Sequence, residues 1–331
     1  MTVVVPTLAA PAVLQDCLAG LERQSFRDFE VVVVDNSGSG RLRSAGLPGA
    51  IRVVENRANV GFAAAINQGF RLSRAPFLAA LNDDAVPAPG WLEALLEAIE
   101  TRADAGMCAS RVVLAGEGTL DSAGMLIAGD GSSRQRGHGR PPEEYAEPQE
   151  VLFPSGSAAL YRRSMLEEIG LFDEDFFLYC EDADLGLRAR WAGWSCLYVP
   201  EAVVEHRYSH SAGRASRLKA FYVERNRLFV VVKNFPARAL WRVPFLAAAR
   251  YFWHLVLLAR GQGRAAEFRR EGRSVWELVR IVAAAHAGLW GARRRLAIQR
   301  RVIRAKRKIS ARQFCRLMRA HAIGLREVAA L

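Results

Sequence analysis

The stretch FLAALNDDA (Phe77–Ala85) joins five apolar residues to two adjacent carboxylates. A short apolar run that ends in polar turn residues is typical of a strand buried on both faces. Asp83 and Asp84 repel each other as neighbouring like charges, and a strand end requires neither of them. The stretch therefore predicts a buried strand whose carboxyl end carries two acidic groups in need of a positive partner.

Other strand-like runs flank this stretch, and helical spacing separates them. In the helix that begins near Pro11, apolar residues recur three and four positions apart from Val13 to Leu21. Strand–helix alternation of this kind predicts an α/β fold with a parallel sheet and right-handed crossovers. The predicted strands are Val3–Pro6, Phe29–Asp35, Ile51–Val54 and Phe77–Leu81, and two more helices are predicted at Gly61–Leu72 and near Pro89–Glu100.

The middle of the chain is less regular. Arg134–Gln149 has turn residues and no periodicity, which indicates a long surface loop near a site. A helix is predicted at Asp182–Ala192, ending before Gly193. Two strands, SCLYVP and AVVEH, and a helix at Tyr222–Pro236 follow, and only helical patterns come after Pro236.

Composition places the chain among ordinary globular proteins, with 51% hydrophobic and 24% charged residues. Five cysteines at irregular spacing favour reduced thiols in a cytosol over a disulfide framework or a zinc site. Met1 leads directly into an apolar run without a basic segment or cleavage site, so we expect no secretory signal and a cytoplasmic location.

The net charge of +12 is concentrated at the end of the chain. From Arg260 onward there are 19 Lys and Arg against 4 Asp and Glu. The apolar runs in this tail are interrupted by charges, so it is predicted to form amphipathic helices that do not span a membrane. Three partners remain open: an anionic inner membrane surface, the catalytic domain or a second copy of the chain, and nucleic acid. Nucleic acid is the least favoured because no nucleic-acid-binding module is present.

Acidic groups are expected to gather at one edge of the predicted sheet, where open parallel sheets bind ligands. Asp35 ends one strand, Asn82-Asp83-Asp84 ends another, and Glu181-Asp182 begins a later helix. A divalent ion that bridges carboxylates and a diphosphate would supply the positive partner. Each feature also has a structural interpretation, since Asp caps turns, acidic residues suit helix starts, and a lone histidine such as His206 is more often structural.

Several segments in order resemble the inverting family 2 glycosyltransferases of GT-A fold, and within them the rhamnosyltransferase-like enzymes of cell-surface polysaccharide assembly. The resemblance implies a Rossmann-like GT-A catalytic domain at 1–236, with a nucleotide half (1–115) and an acceptor half (116–236). The region 237–331 is then a basic amphipathic helical appendage. The matching segments are VVVPT, VVVVDNSGS, NVGFAAAINQGF, LNDDAVPAPGWLE, FPSGSAALYRRSMLEEIGLFDEDFFLYCEDADLGLRARWAGW, VVEHRYS and YVERNRLFVVVKNFP.

The resemblance implies a donor site for a nucleotide-diphosphate sugar. Asp84 is implied as a ligand of Mn²⁺ or Mg²⁺, completed by His206, and Asp83 as a contact of the ribose. A nitrogen ligand favours Mn²⁺ over Mg²⁺. Asn82 stands where many relatives have a carboxylate. The other implied nucleotide-binding residues are Pro6, Thr7, Asp35, Asn59, Gly61, Phe62 and Asn67.

On the acceptor side, the resemblance implies Asp182 as the base that deprotonates the acceptor hydroxyl, with Glu181 beside it. We expect the helix dipole to keep Asp182 ionised. Ser155-Gly156-Ser157 either shapes the acceptor pocket or forms a structural turn. Arg225 and Asn226 either face the active site or belong to a packed or solvated helix face.

The predicted function is therefore metal-dependent transfer of a sugar, with inversion, to a hydroxyl of a surface glycan or lipid-linked acceptor. The donor implied by the resemblance is dTDP-rhamnose. Two alternatives remain: a family 2 transferase that uses a UDP-hexose or another donor, and a non-catalytic nucleotide-binding scaffold. The enzyme is expected at the inner face of the membrane, and a homodimer is an alternative role for the tail.

Overall fold

A computed structural model describes residues 1–8, 10–44, 51–207, 216–270, 272 and 274–330. A central sheet of ten strands occupies the first two thirds of the chain, and helices follow it to the end. The sheet strands in chain order are β1 (Thr2–Thr7), β2 (Glu30–Asp35), β3 (Ile51–Glu55), β4 (Phe77–Leu81), β5 (Ala85–Pro87), β6 (Ala105–Leu114), β7 (Leu120–Ser122), β10 (Gln149–Glu150), β11 (Ala158–Arg162) and β12 (Ser195–His206). A separate hairpin is formed by β8 (Met125–Ile127) and β9 (Ser133–Gln135).

The first part of the sheet is parallel, as the strand–helix alternation predicts. The strands lie in the order β4-β1-β2-β3, and every pair among them is parallel. Their carboxyl ends therefore share one edge, which places Asp35 and Asn82-Asp83-Asp84 near each other. The predicted α/β class with a mostly parallel sheet is confirmed.

The second part of the sheet was predicted less well. Strand β11 runs antiparallel between β4 and β6, and β6, which the sequence pattern did not predict, runs parallel to β12. The two strands expected at SCLYVP and AVVEH are one strand, with a register shift between Val199 and Val203. Pro200 lies in that interval and has no N–H for the ladder, which accounts for the interruption.

The helices cover both faces of the sheet because successive side chains of each buried strand point to opposite faces. Val3 and Val5 of β1 pack in a core with the first and third helices, whereas Val4 packs in a core with the second and fifth. The helices of this part are α1 (Pro11–Glu22), α2 (Phe62–Leu72), α3 (Trp91–Glu100), α4 (Arg163–Ile169) and α5 (Glu181–Trp191), and short 3-10 helices lie at Arg41–Ser44, Pro142–Tyr145 and Glu174–Phe176.

The long loop predicted at Arg134–Gln149 is more ordered than expected. It begins inside the β8–β9 hairpin, contains a 3-10 helix and ends at β10. The guanidinium of Arg136 lies 4.5 Å from the ring centroid of Tyr145, and the Tyr198 hydroxyl donates to the Tyr145 carbonyl. These aromatic contacts fix a segment whose sequence has no periodicity.

Helices alone make up the rest of the described chain, as predicted. They are α6 (Arg217–Asn234), α7 (Ala237–Leu240), α8 (Val243–Ala259), α9 (Gly263–Arg270), α10 (Val275–Ala305), α11 (Ala311–Ala320) and α12 (Leu325–Ala330). The long helix α10 packs along α6. Leu296 and Ile303 of α10 and Phe314 of α11 are buried in the same core as residues of α5 and α6. Among the described residues, every helix is too short or too polar to cross a bilayer.

Candidate active site

A cavity of about 560 Å³ opens at the carboxyl ends of β1 and β4. One wall comes from the parallel part of the sheet and the other from the start of α5 and from α6. The predicted site residues that line it are Pro6, Thr7, Asn59, Gly61, Phe62, Asn82, Asp83, Asp84, Ser155, Gly156, Ser157, Glu181, Asp182 and His206.

Asp83 is held by the neighbouring strand. The Thr7 hydroxyl, at the end of β1, donates to Asp83 Oδ2 at 2.6 Å. Burial raises the pKa of Asp83, and the hydrogen bond from Thr7 opposes that rise. The parallel pairing of β1 with β4 brings these two residues together although 76 positions separate them.

Asp84 faces a histidine from a different part of the sheet. His206 Nε2 lies 3.1 Å from Asp84 Oδ1, and its Nδ1 lies 2.8 Å from Asp121 Oδ2. The pairing of β12 with β5 sets His206 opposite Ala85, directly after Asp84. Burial lowers the pKa of His206, but the bonds to Asp121 and Asp84 outweigh burial and raise that pKa to about 10. In this state His206 is a cation between two carboxylates.

The Asp84–His206 pair fits a divalent ion only in part. Because Asp121 holds Nδ1, the ring presents Nε2 towards Asp84 and the cavity, which is how a carboxylate orients a metal-binding histidine. Within the described ranges, however, no three His, Cys, Asp or Glu side chains are grouped to hold a metal. The described residues therefore supply two candidate ligands, Asp84 and His206.

Glu181 and Asp182 line the opposite wall at the first turn of α5. Asp182 Oδ1 accepts from its neighbour Ala183 N at 2.7 Å, and Oδ2 accepts from Gly156 N at 3.3 Å. Burial and the charge of Asp182 raise the pKa of Glu181 to about 8. Burial also raises the pKa of Asp182, although the two backbone N–H groups oppose it. That the helix dipole keeps Asp182 ionised stays a prediction: burial acts against the charged form, and the backbone N–H groups support it.

The two carboxylic acids have different surroundings. Burial and the charge of Asp182 favour the neutral form of Glu181, whereas the N–H groups of Ala183 and Gly156 favour the charged form of Asp182. Glu181 Oε2 is buried and has no hydrogen-bond partner among the described residues. A pair of acids in such different surroundings suits proton transfer.

The loop Ser155–Ser157 connects the two walls. Ser157 O accepts from Asn82 N at 2.9 Å, while Gly156 N donates to Asp182. A Cβ on Gly156 would lie 3.7 Å from the Asp182 side chain. The loop forms a tight turn and also lies close to Asp182. The two interpretations of the loop, a structural turn and a part of the acceptor pocket, are therefore compatible.

The segment that leads into α5 has an unusual backbone. Phe177, Tyr179 and Cys180 have φ values of 62°, 69° and 66°, which is costly for residues other than glycine. Phe62 N donates to Phe177 O at 2.7 Å, and a Cβ on Gly61 would lie only 2.4 Å from that oxygen. Gly61 is therefore required for close packing of the α2 start against this segment.

Asn226 and Arg225 lie behind this segment and do not line the cavity. The Asn226 side-chain nitrogen lies 2.7–2.8 Å from the carbonyl oxygens of Phe176, Leu178 and Tyr179. Arg225 donates to the carbonyls of Asp175 and Phe176. Both residues thus hold the backbone of the strained segment in place through hydrogen bonds, and they contribute to the cavity only indirectly.

Asp35 and Asn67 also lie outside the cavity lining. Asn67 is buried, and its side chain forms hydrogen bonds with the backbone of Phe172 and with Glu174 Oε1. These bonds join α2 to the segment that precedes α5. Asp35 Oδ1 accepts from the backbone and hydroxyl of Ser37. Its Oδ2 is buried and has no hydrogen-bond partner among the described residues, so it keeps acceptor capacity at the sheet edge.

Sequence reasoning missed Asn36 and Asp121. Asn36 lines the cavity, donates to Asn59 Oδ1 at 2.8 Å and accepts from Val60 N at 2.9 Å. Its position directly after Asp35 was a usable signal. Asp121 lies on the three-residue strand β7, for which no pattern was evident.

A buried ionic network on the acceptor side was also missed. Arg227 of α6 and Arg250 of α8 line the cavity and bond to Glu224, and Asp130 accepts from both. Burial opposes the charge of Glu224, but Arg250 and Arg227 outweigh burial and lower its pKa to about 2. Tyr251 adds a hydrogen bond at 2.5 Å. A helix of the basic C-terminal region therefore contributes to the same cavity as Asp182.

The mostly parallel sheet with a cavity at its carboxyl edge defines an α/β protein of GT-A-like fold. A family model described as glycosyl transferase family 2 matches residues 2–170. The chain belongs to that family, and it is a glycosyltransferase.

Relatives and solved structures agree with this assignment. The chain is 29% identical to an N-acetylglucosaminyl-diphospho-decaprenol L-rhamnosyltransferase of Mycobacterium tuberculosis, over 74% of this chain and 87% of that protein. It is 29% identical to a pre-mycofactocin glycosyltransferase of the same species, over 90% of this chain and 63% of that protein. The structure of GalNAc-T7 with UDP, GalNAc and Mn²⁺ superposes with a TM-score of 0.61 at 16% identity, covering 75% of this chain and 50% of that one, which supports the fold alone.

Proposed function

We propose that the protein transfers a sugar from a nucleotide-diphosphate donor to an acceptor hydroxyl, with inversion and with the help of a divalent ion. The observation that carries this proposal is the arrangement of one cavity: Asp84 and His206 lie on one wall, and Asp182 lies on the other. The two walls come from distant parts of the chain, and the space between them suits a sugar flanked by its leaving group and its acceptor.

The donor lies along the sheet edge in this proposal. Asp83 and the loop at Pro6 and Thr7 contact the nucleoside, and Asp35 Oδ2 offers one further acceptor. Asp84 and a deprotonated His206 Nε2 would hold Mn²⁺ or Mg²⁺ together with the diphosphate, and the nitrogen ligand would favour Mn²⁺. When bound, the ion neutralises the charge that develops on the leaving diphosphate.

The acceptor approaches from the side of α5. Asp182 accepts the proton of the acceptor hydroxyl as the oxygen attacks the anomeric carbon, and the bond to the diphosphate breaks on the opposite face. The N–H groups of Ala183 and Gly156 fix the carboxylate during this step. Glu181, neutral at pH 7, adds no second negative charge beside the base.

The donor proposed is dTDP-rhamnose, and the acceptor is a glycan or a lipid-linked saccharide. The name of the mycobacterial N-acetylglucosaminyl-diphospho-decaprenol L-rhamnosyltransferase supports rhamnose as the sugar and a lipid-linked saccharide as the acceptor. A panel of dTDP-rhamnose, UDP-glucose and GDP-mannose, each with Mn²⁺, tests the donor by thermal shift. We expect the largest rise with dTDP-rhamnose, whereas a larger rise with UDP-glucose would favour the alternative UDP-hexose transferase.

Catalysis itself is tested by product formation. We expect release of the nucleoside diphosphate from the preferred donor with Mn²⁺ and none with EDTA. A protein that binds the nucleotide but never cleaves the donor under either condition would be the non-catalytic scaffold.

The C-terminal region is proposed to attach the enzyme to an anionic membrane surface. Trp241 follows α7 directly, and Phe245, Phe252 and Leu255 form a stripe at helical spacing on one face of α8; each of the four is 59–70% exposed. Basic residues dominate the rest of this region, which suits an interfacial helix on anionic lipid. We propose that this places the enzyme on the inner face of the membrane, near a lipid-linked acceptor.

Vesicle flotation tests the attachment. We expect the wild-type protein to float with vesicles that contain phosphatidylglycerol, and Phe245→Ser with Phe252→Ser to abolish flotation. If the double variant floats as well as wild type, the stripe does not bind membrane. A change from dimer to monomer in the same variant would instead assign the stripe to a second copy of the chain.

A further inference from the structure

A second cavity lies in the C-terminal region and is lined by arginines. It measures about 550 Å³ and shares no lining residue with the catalytic cavity. Its arginines come from three segments: α7, the end of α10 with the turn after it, and α11. They are Arg238, Arg304, Arg307, Arg312, Arg316 and Arg319. No carboxylate is among the described residues that line it.

These arginines are exposed to solvent, and in the described part of the chain no acidic side chain balances their charges. None of the six forms an ion pair with Asp or Glu among the residues the structure describes. Arg312, Arg316 and Arg319 are four and three positions apart, so they project from one face of α11, and like charges at this spacing destabilise a helix. Burial, with the charge of Arg304, lowers the pKa of the adjacent Arg300 to about 10. The cluster is unfavourable for the protein alone.

The floor of the cavity is built from packed side chains. Trp191, Phe235 and Ile303 are buried there, and the Trp191 ring stacks on Phe314 with centroids 4.0 Å apart. Lys233 is also on the floor, but its charge is already paired with Asp173 and Asp184. An apolar floor lowers the local dielectric constant, which strengthens attraction between the arginines and an anion.

The position of the cavity separates it from the chemistry. Helix α5 begins with Glu181 at the catalytic cavity and ends with Trp191 at the arginine-lined cavity. At 1.5 Å per residue, these two ends are about 15 Å apart along the helix axis. A donor diphosphate in the catalytic cavity therefore cannot be the partner of the arginines.

We propose that this arginine-lined cavity is a second binding site, specific for an anion that carries more than one phosphate group. Guanidinium groups bind phosphate oxygens through paired hydrogen bonds, and the volume exceeds that of a single phosphate. A lipid-diphosphate headgroup and a free polyphosphate present the same chemistry. The site goes beyond sugar transfer, since no residue of it belongs to the catalytic cavity.

Two triple variants with the same change in charge test the proposal. The cavity variant combines Arg312→Gln, Arg316→Gln and Arg319→Gln. The control variant combines Arg293→Gln, Arg294→Gln and Arg301→Gln, which are exposed on α10 and do not line the cavity. Thermal melts establish that both are folded. Binding of inorganic pyrophosphate is then measured by calorimetry in EDTA, which keeps divalent ions out of the catalytic cavity.

We expect wild type to bind pyrophosphate, the cavity variant to bind it at least about tenfold more weakly, and the control variant to stay within about twofold. No binding by wild type, or equal weakening in both variants, would contradict the proposal. So would cavity-dependent binding of single-stranded RNA without binding of pyrophosphate.

Flotation with vesicles that contain a polyprenyl diphosphate distinguishes the two sources of phosphate. If only the cavity variant loses flotation, the ligand is a lipid headgroup. If both variants float alike while pyrophosphate binding is lost only in the cavity variant, the ligand is a free polyphosphate.

Discussion

Asp84 Oδ1 lies 3.1 Å from His206 Nε2, although 122 positions separate the two residues in the chain. The contact exists because β12 pairs with the short strand β5, which follows Asp84 directly. We propose this pair as part of a metal site that a bound diphosphate completes.

This incomplete site predicts that metal binding depends on nucleotide. We expect Mn²⁺ alone to change the melting temperature little, and Mn²⁺ with a nucleoside diphosphate to stabilise the protein by about 2.7 kcal/mol at a hundredfold excess over Kd. Asp84→Asn should lose the Mn²⁺-dependent part of this effect. Asp104→Asn, the same change at a half-exposed surface ion pair, should keep it. An unchanged Mn²⁺ effect in Asp84→Asn would remove this residue from the metal site.

Asp121 is predicted to position His206 rather than to bind the ion. Asp121→Asn replaces the carboxylate that holds His206 Nδ1 at 2.8 Å, and loss of such an outer partner weakens metal affinity by about 10- to 100-fold. The measurement is the Mn²⁺ concentration at half-maximal turnover. We expect this concentration to rise while turnover at saturating Mn²⁺ stays near wild type. A lower maximum with an unchanged half-maximal concentration would argue for a different role.

Asn226 is predicted to support the catalytic acids through the segment before α5. Asn226→Ala leaves buried carbonyls without donors, which costs about 1–3 kcal/mol of unfolding free energy. Asn234→Ala, at a buried amide on the same helix that bonds to Asp184, should cost a similar amount. When the two variants are assayed under conditions in which both are folded, only Asn226→Ala should lose sugar transfer. Equal activity in the two variants would leave Asn226 with a purely structural role.

Glu224 is predicted to stabilise the folded protein in a pH-dependent way. Its pKa falls from 4.5 to about 2 on folding, so its contribution is fully present above pH 4.5 and is lost as the pH falls towards 2. A shift of this size corresponds to about 3 kcal/mol. Denaturant unfolding of Glu224→Gln should therefore show a large loss at pH 7 that shrinks below pH 4.5. A difference that does not change with pH would mean that packing, not charge, explains the loss.

The sequence predicted the parallel part of the fold well because its signals are local. β4 has the bounds of its apolar run, Phe77–Leu81; β1 extends its run by one residue at each end, and β2 begins one residue after the start of its run. Each strand is buried on both faces, so a continuous apolar run marks it. The parallel topology then places the carboxyl ends of these strands at one edge of the sheet. This arrangement alone predicts that Thr7 and Asp83 lie close together.

The other half was harder because its order depends on distant contacts. The β8–β9 hairpin and the segment around Tyr145 are fixed by aromatic and guanidinium contacts with Tyr198, which no short pattern encodes. Arg250 reaches the cavity only because α8 packs beside α6. The protonation of Glu181 and Asp182 follows from burial, and the sequence offered only the helix dipole as a guide.

The central claim is that Asp182 is the base opposite a metal-bound donor, and Asp182→Asn tests it most directly. The measurement is the turnover number for sugar transfer with saturating donor and Mn²⁺, with donor affinity measured in parallel by calorimetry. We expect turnover to fall by about 10²- to 10⁴-fold while the donor Kd stays within about twofold, because the residue acts on the acceptor proton. Turnover near the wild-type value in a folded, donor-binding Asp182→Asn protein would contradict the account.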